Sequence, residues 1–207
     1  MRYRIYYNNV SWKNMDTVTI EKTAGEYYLL GVMEMASGFR LNADGTFQFF
    51  FVYGALDRYG AGNWTIENDH VLLQSKPWSG KDFALIESSE SGRGITVKIT
   101  DNNPIFSKHV FASLKNGEEG SWQPPDEKGE IHFPDHDIAV ISLVFEFCPE
   151  RFTFFPVENK EHNYFEFRLE PWVMEVFFNN FQLRIEKNDL IGKHPLMLGV
   201  AFVYEKG

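Results

Sequence analysis

Residues 46 to 53 read TFQFFFVY, and GALDRYGAGNW follows at once over residues 54 to 64. Phe47, Phe49, Phe51 and Tyr53 alternate with Gln48, Phe50 and Val52. That period of two sends every second side chain to one face of an extended chain, whereas a helix would scatter the rings around its axis. The stretch is therefore a strand. Just before it, NADGT (42 to 46) places an Asp-Gly pair where a tight hairpin turn needs positive φ angles. The same alternation recurs in ITVKIT (95 to 100), YFEFRLE (164 to 170) and FQLRIEK (181 to 187). Turn signals punctuate the chain at ENDH (67 to 70), KNGEEG (115 to 120), PDEKGE (125 to 130) and EKND (186 to 189). No long helical periodicity competes with them, so the fold class is all-β, with about a dozen strands in a sandwich or barrel.

The chain has 207 residues, 43% hydrophobic and 24% charged, which is enough for one large β domain or two small ones. Twenty phenylalanines, within an aromatic share of 16%, suit the space between sheets and exclude a disordered chain. A formal net charge of -9 and the lack of a basic stripe argue against nucleic acid as a partner. The expected partner is a small polar ligand or another protein. The lone cysteine, Cys148, excludes an internal disulfide framework and falls in the apolar run ISLVFEFC, where it reads as a small buried hydrophobe. No run approaches a membrane span, and the first twenty residues lack the apolar core of a signal peptide. A cytoplasmic protein is the default expectation, and an exported one if the true start differs.

The small, polar SSESGRG (88 to 94) is the best boundary between domains. It gives an irregular segment over 1–24, a first β domain over 25–90 and a second over 94–207 with a C-terminal extension. WTIENDHVLL (64 to 73) and LRIEKNDLIG (183 to 192) echo one another as strand, Asn-Asp turn and return strand, which is common turn chemistry.

Two stretches carry family resemblances. GFRLNADGTFQFFFVY, then GAGNW, then NDHVLLQS resembles the small lipocalin-like domains of bacterial proteins, through Leu41, Asp44, Gly45, Thr46, Phe47, Gly62 and Trp64. The resemblance covers roughly residues 25 to 86 and implies a small hairpin sheet or partial barrel, too short to close alone. ITVKITDNNPIFSKHVFASL, with Pro104 and Ile105, and DEKGEIHFP, with Asp126, Gly129, Ile131 and Phe133, resemble the prealbumin-like sandwich of carboxypeptidase regulatory domains. That resemblance covers about residues 94 to 170 and implies an antiparallel β-sandwich acting as a spacer or interaction module. The remaining tail would complete or extend the first sheet.

The candidate chemistry is sparse. Asp57, Arg58 and Tyr59 fall in a glycine-punctuated connection, where a loop would gather them for a polar ligand and a strand would send Asp57 and Arg58 to opposite sides. Glu34 and Arg40 would pair or form an acidic pocket if they faced a barrel interior, and otherwise lie on the wet face of a strand. Trp64 joins these as a tentative ligand contact. His132, Asp135, His136 and Asp137 form the densest set of potential metal ligands. Glu146, Cys148 and Glu150 share one face if their strand continues, which would suppress the thiolate. Trp78, Trp122 and Trp172 lie beside glycine or proline, as loop tryptophans that stack on sugars do, or as plugs over sheet edges. No nucleophile elbow, zinc-protease helix, phosphate loop or dinucleotide fingerprint occurs, so no catalytic residue and no cofactor is expected. The resulting expectation is a non-catalytic ligand-binding or protein-interaction module. A hydrolase- or isomerase-like enzyme with an acidic pocket around Glu34 and Asp57 is the first alternative, and a carbohydrate-binding module the second.

Overall fold

The structure, a computed structural model, describes residues 17–115, 118, 121–134, 138–199 and 201–207. They fold as two compact units: the described residues of 17–54, 60–76 and 178–207 form the first, and those of 55–59 with 77–177 the second. Strands dominate both, as the alternation predicts.

The first unit holds a closed eight-stranded barrel. Its strands are β1 (Gly25–Leu29), β2 (Met35–Leu41), β3 (Thr46–Tyr53), β4 (Leu56–Glu67), β5 (His70–Gln74), β13 (Phe181–Glu186), β14 (Asp189–Gly192) and β15 (Phe202–Lys206). They run in the order β1-β15-β14-β13-β5-β4-β3-β2, all antiparallel where register is defined. Five strands before residue 76 cannot close a barrel alone. The C-terminal tail supplies the other three, and the seam joins Tyr27–Leu29 to Tyr204–Lys206. The echoed hairpins are β4–β5 and β13–β14. Each turns through a left-handed residue, Asn68 at φ 56° and Lys187 at φ 59°, and β5 pairs with β13. A short helix, α1 (Thr17–Thr23), replaces part of the irregular segment expected over 1–24 and is tied to β1 by the Tyr27 hydroxyl donating to the Thr23 carbonyl at 2.6 Å.

Phenylalanine fills this barrel. Phe47, Phe49 and Phe51 of β3 point inward as their alternation requires. Phe39, Phe47, Phe49, Phe178, Phe181 and Tyr204 meet with ring centroids 5.0 to 6.5 Å apart, mostly edge to face. The interior is thus a packed aromatic core, each fully buried ring contributing on the order of 2–3 kcal/mol.

The second unit has two sheets and one core. Its strands are β6 (Phe83–Ser89), β7 (Ile95–Thr100), β8 (Val110–Ser113), β9 (Glu130–Phe133), β10 (Val140–Phe145), β11 (Phe152–Pro156) and β12 (Tyr164–Leu169). One sheet runs β6-β12-β7-β9 and the other β11-β10-β8. Val97, Ile99, Leu143, Phe145, Phe155 and Phe167 belong to the buried cluster of this unit. β7 and β12 are parallel, and the other pairs antiparallel. The long chain between β7 and β12 permits the parallel return. The stretch 88 to 94, expected as a domain boundary, instead connects β6 and β7 of the same sheet, so its glycines serve a turn. Pro104 starts a one-turn helix, α2 (Pro104–Ser107), capped by the Asn103 side chain, which accepts from the Ile105 N–H at 3.1 Å.

Candidate ligand-binding cleft

Of the sequence-predicted ligand residues, Arg58 and Trp64 are buried and hold the fold together, whereas Glu34, Arg40, Asp57 and Tyr59 are exposed. YGALDRYGAG is a two-residue turn at Gly54 and Ala55 followed directly by β4, so it is strand rather than loop. Strand alternation sends Asp57 and Tyr59 to solvent and Arg58 inward, where it is 3% exposed. Arg58 Nη2 donates to Glu150 Oε1 at 2.6 Å, and the guanidinium also reaches the carbonyls of Phe147, Met174 and Glu175 at 3.3 to 3.4 Å. Burial alone would raise the Glu150 carboxyl, but the hydrogen bond and charge of Arg58 hold it below its usual range. Arg151 repeats the arrangement: its Nε donates to Asp82 Oδ2 at 2.6 Å, and its other nitrogens reach the carbonyls of Val173 and Glu175. Arg58 is therefore a structural cation of the second unit, its donors spent within the protein.

Glu34 lies in the β1–β2 connection, exposed and at φ 65°, not on a strand face. Arg40 is on the wet face of β2, 3.9 Å from Glu26 on the neighbouring strand. Neither faces the barrel interior, and Arg40 takes Glu26 rather than Glu34 as its partner. Trp64 is buried, and its indole N–H donates to the Asn42 carbonyl at 2.8 Å, locking it to the Asp-Gly turn. His132 is on the exposed face of β9 beside Asp126 and Glu130. Asp135, His136 and Asp137 lie outside the described residues.

Cys148 follows the end of β10 in a turn, so the shared face expected for Glu146, Cys148 and Glu150 does not exist. Its thiol is buried, donates to the Val173 carbonyl at 2.9 Å, and is pushed up to about 12, first by burial. Glu146 instead meets His109 Nδ1 at 2.7 Å. The three loop tryptophans are half-buried plugs. Trp78 donates to Asp82 at 3.0 Å, Trp172 to the Lys81 carbonyl at 3.0 Å, and Trp122 stacks on Phe152 at 5.6 Å. Such tethered rings form no exposed sugar platform.

Among the described residues, a concave feature with binding character lies elsewhere. A cleft of about 690 Å³ lies in the second unit between β6 and β11, each an edge strand of its sheet. Buried Phe83, Ile141, Phe155, Phe165 and Phe167 line its depth, and Leu85, 45% exposed, stands at its mouth. The β6–β12 register shifts between Glu166 and Phe167, so Leu85 and Ile86 both emerge on the exposed side of β6. Polar groups sit at separate points of the wall. Lys81 lays its ammonium 4.8 Å over the Phe155 ring. Ser88 Oγ and His162 Nδ1 are 2.8 Å apart at the other end of β6, and Glu170 and Trp172 join Lys81 at its end of the wall. Among the described residues no carboxylate bonds to His162, so the Ser88–His162 contact lacks the third member that would make it a catalytic relay. A second groove of about 620 Å³ crosses β13 and β14 of the barrel, lined by Asn180, Arg184 and Lys193, with Arg184 held by Glu186 at 2.5 Å.

Sequence inspection missed this cleft because its wall is drawn from residues 79 to 88, 141, 155 to 159 and 162 to 172. The available signals were the paired inward phenylalanines of YFEFRLE and the bare apolar strand FALIESS. Comparison of the chain with models of protein families, with curated proteins and with solved structures found no match.

Proposed function

We propose that the protein is a non-catalytic binding protein, and that the cleft between β6 and β11 receives an amphipathic small molecule. The observation that carries this reading is where apolar surface faces open space. Aromatic rings fill the barrel, whereas in the second unit six buried apolar side chains, Val157 with the five above, line a cleft of about 690 Å³. That size lies within the roughly 300–1,000 Å³ of small-molecule sites, and a few polar groups on apolar walls are their usual composition. Lys81 at one point and the Ser88–His162 pair at another would orient the polar end of the ligand. In this reading the barrel is a lipocalin-like scaffold, supported by its Asp-Gly hairpin sealed by Trp64, with rings where a ligand would sit. The second unit is prealbumin-like, supported by its seven strands in two sheets.

The test is a thermal-shift series with dodecanoate, a sterol and an aromatic carboxylate. A ligand present at about 100 times its Kd adds about 2.7 kcal/mol to the folded state, which reads as a rise of several degrees. Leu85→Trp at the mouth should abolish the shift without lowering the unliganded melting point. No shift with any of the three would sink the proposal. A second reading, a protein partner, is favoured by Leu85 and Ile86 on an edge strand that pairs on one side only. Ile86→Lys would then remove the partner while leaving small-molecule shifts intact.

A further inference from the structure

We propose that Asp126, Glu130 and His132 form a binding site for a divalent transition-metal ion, zinc in the first instance, on the second unit. One turn and the strand it feeds supply all three ligands. Asp126 opens the turn, and its Oδ1 accepts from the backbone N–H groups of Lys128 at 2.8 Å and Glu130 at 2.9 Å. Its Oδ2 is left pointing toward β9. Glu130 and His132 are two apart on β9, so they share a face, while Ile131 between them is buried in the core.

Three donor atoms converge there. His132 Nε2 stands 3.5 Å from Glu130 Oε2 and 3.9 Å from Asp126 Oδ2. All three ligand atoms lie within 4.8 Å of one another. Neither separation from the imidazole is a hydrogen bond, since N–H···O contacts close to about 2.7–3.2 Å. The imidazole thus faces two carboxylates without bonding to either. A shared cation accounts for that spacing: zinc at roughly 2.0–2.1 Å from each ligand sets tetrahedral donor atoms about 3.3 Å apart. The His132–Glu130 separation is already close to that value, and closing the set draws Asp126 Oδ2 inward, by up to about 1.5 Å relative to Glu130.

The groups around the three ligands fit as well. The other ring nitrogen, Nδ1, is 3.1 Å from the hydroxyl of Thr96, directly across on β7. With Nδ1–H donating to Thr96, the Nε2 lone pair faces the carboxylates, the tautomer and orientation typical of a ligating histidine. Lys98, opposite Glu130, sits 3.7 Å from Glu166, so its charge is drawn toward another carboxylate. Two carboxylates balance a 2+ ion, and the ligands' side chains are 43%, 28% and 57% exposed, which leaves a coordination position to solvent. One imidazole with two carboxylates selects borderline and hard ions, zinc and manganese, over the soft ions that thiolates take.

The experiment is calorimetric titration of chelator-treated, tag-free protein with zinc sulfate, repeated with cobalt chloride while reading the visible d–d bands. The expected result is one ion per chain, with affinity reduced at least 10-fold in Asp126→Asn and in His132→Ala. Asp126→Asn is the decisive variant, because an asparagine Oδ1 still accepts both turn N–H groups. Its melting point without metal should match the parent protein. Thr96→Val should weaken binding while leaving the cobalt bands in place. No saturable heat in the parent protein would overturn the proposal. So would zinc binding of unchanged affinity in both Asp126→Asn and His132→Ala, which would place the ion elsewhere.

Discussion

His194 is the buried titratable group that most directly couples the barrel to pH. It is 4% exposed among Phe49, Phe51, Phe202 and Tyr204. The Ser37 hydroxyl donates to the Phe50 carbonyl, so His194 Nε2–H donates to Ser37 Oγ at 3.0 Å. Nδ1 accepts from the Leu196 N–H at 3.0 Å, and the neutral ring is thereby fully satisfied. A second ring proton would oppose that N–H, and burial pushes the pKa from 6.5 down to about 4. Because the unfolded chain takes up a proton the folded chain refuses, the stability this group supports is whole above about pH 6.5 and drains away down to about pH 4. Between pH 7 and 4.5 the loss should be about 2–3 kcal/mol by linkage. Urea midpoints of the parent and His194→Gln at both pH values measure it, and equal losses in the two proteins would refute it. Arg58 makes the complementary case of a charge held by its own protein. Arg58→Met should cost about 3 kcal/mol in urea unfolding, through a broken ion pair and orphaned carbonyls. Ligand shifts in the surviving folded fraction should persist, whereas a binding role for Arg58 predicts their loss.

At the scale of elements, the strands written with strict alternation were legible: β3, β7, β12 and β13 each begin within a residue of where the apolar period starts. Turn chemistry was legible too, at Asp44–Gly45 and in the two echoed hairpins. The start of β4 was not, because glycines at 54, 60 and 62 signal a loop while tertiary packing asks for a strand. Gly62 shows the reason. A Cβ there would overlap the carbonyl of Gln74 on β5 and stand 2.9 Å from the Phe47 ring, so its glycine serves a close approach of strands. Gly62→Ala should destabilise the barrel by about 1–3 kcal/mol, as overpacking does. Fluorescence of Trp64, two residues away, reports it, and an unchanged midpoint would show that β4 and β5 can separate at little cost. The cleft was illegible for a different reason: it is made by what two edge strands leave unpaired, and no local pattern records which strands end a sheet.

At the scale of the molecule, the barrel is assembled from both ends of the sequence around an inserted sandwich. Periodicity identifies a strand but carries no information about a partner more than a hundred residues away, so the tail could be anticipated to complete or extend the first sheet, but not which strands it would join. No helix among the described residues is long and apolar enough to cross a membrane. The closing seam, Leu29 against Tyr204, joins positions about 175 residues apart. On a ribosome adding roughly 5–20 residues per second, that separation amounts to about 9–35 seconds. For the last 130 or so residues of it, about 6–26 seconds, β2 to β5 are already made, with their phenylalanines facing a half-built wall, while the inserted sandwich emerges with all seven of its strands contiguous. The order of synthesis therefore gives the sandwich the first chance to fold, and leaves the aromatic half-barrel as the segment a chaperone would need to shield.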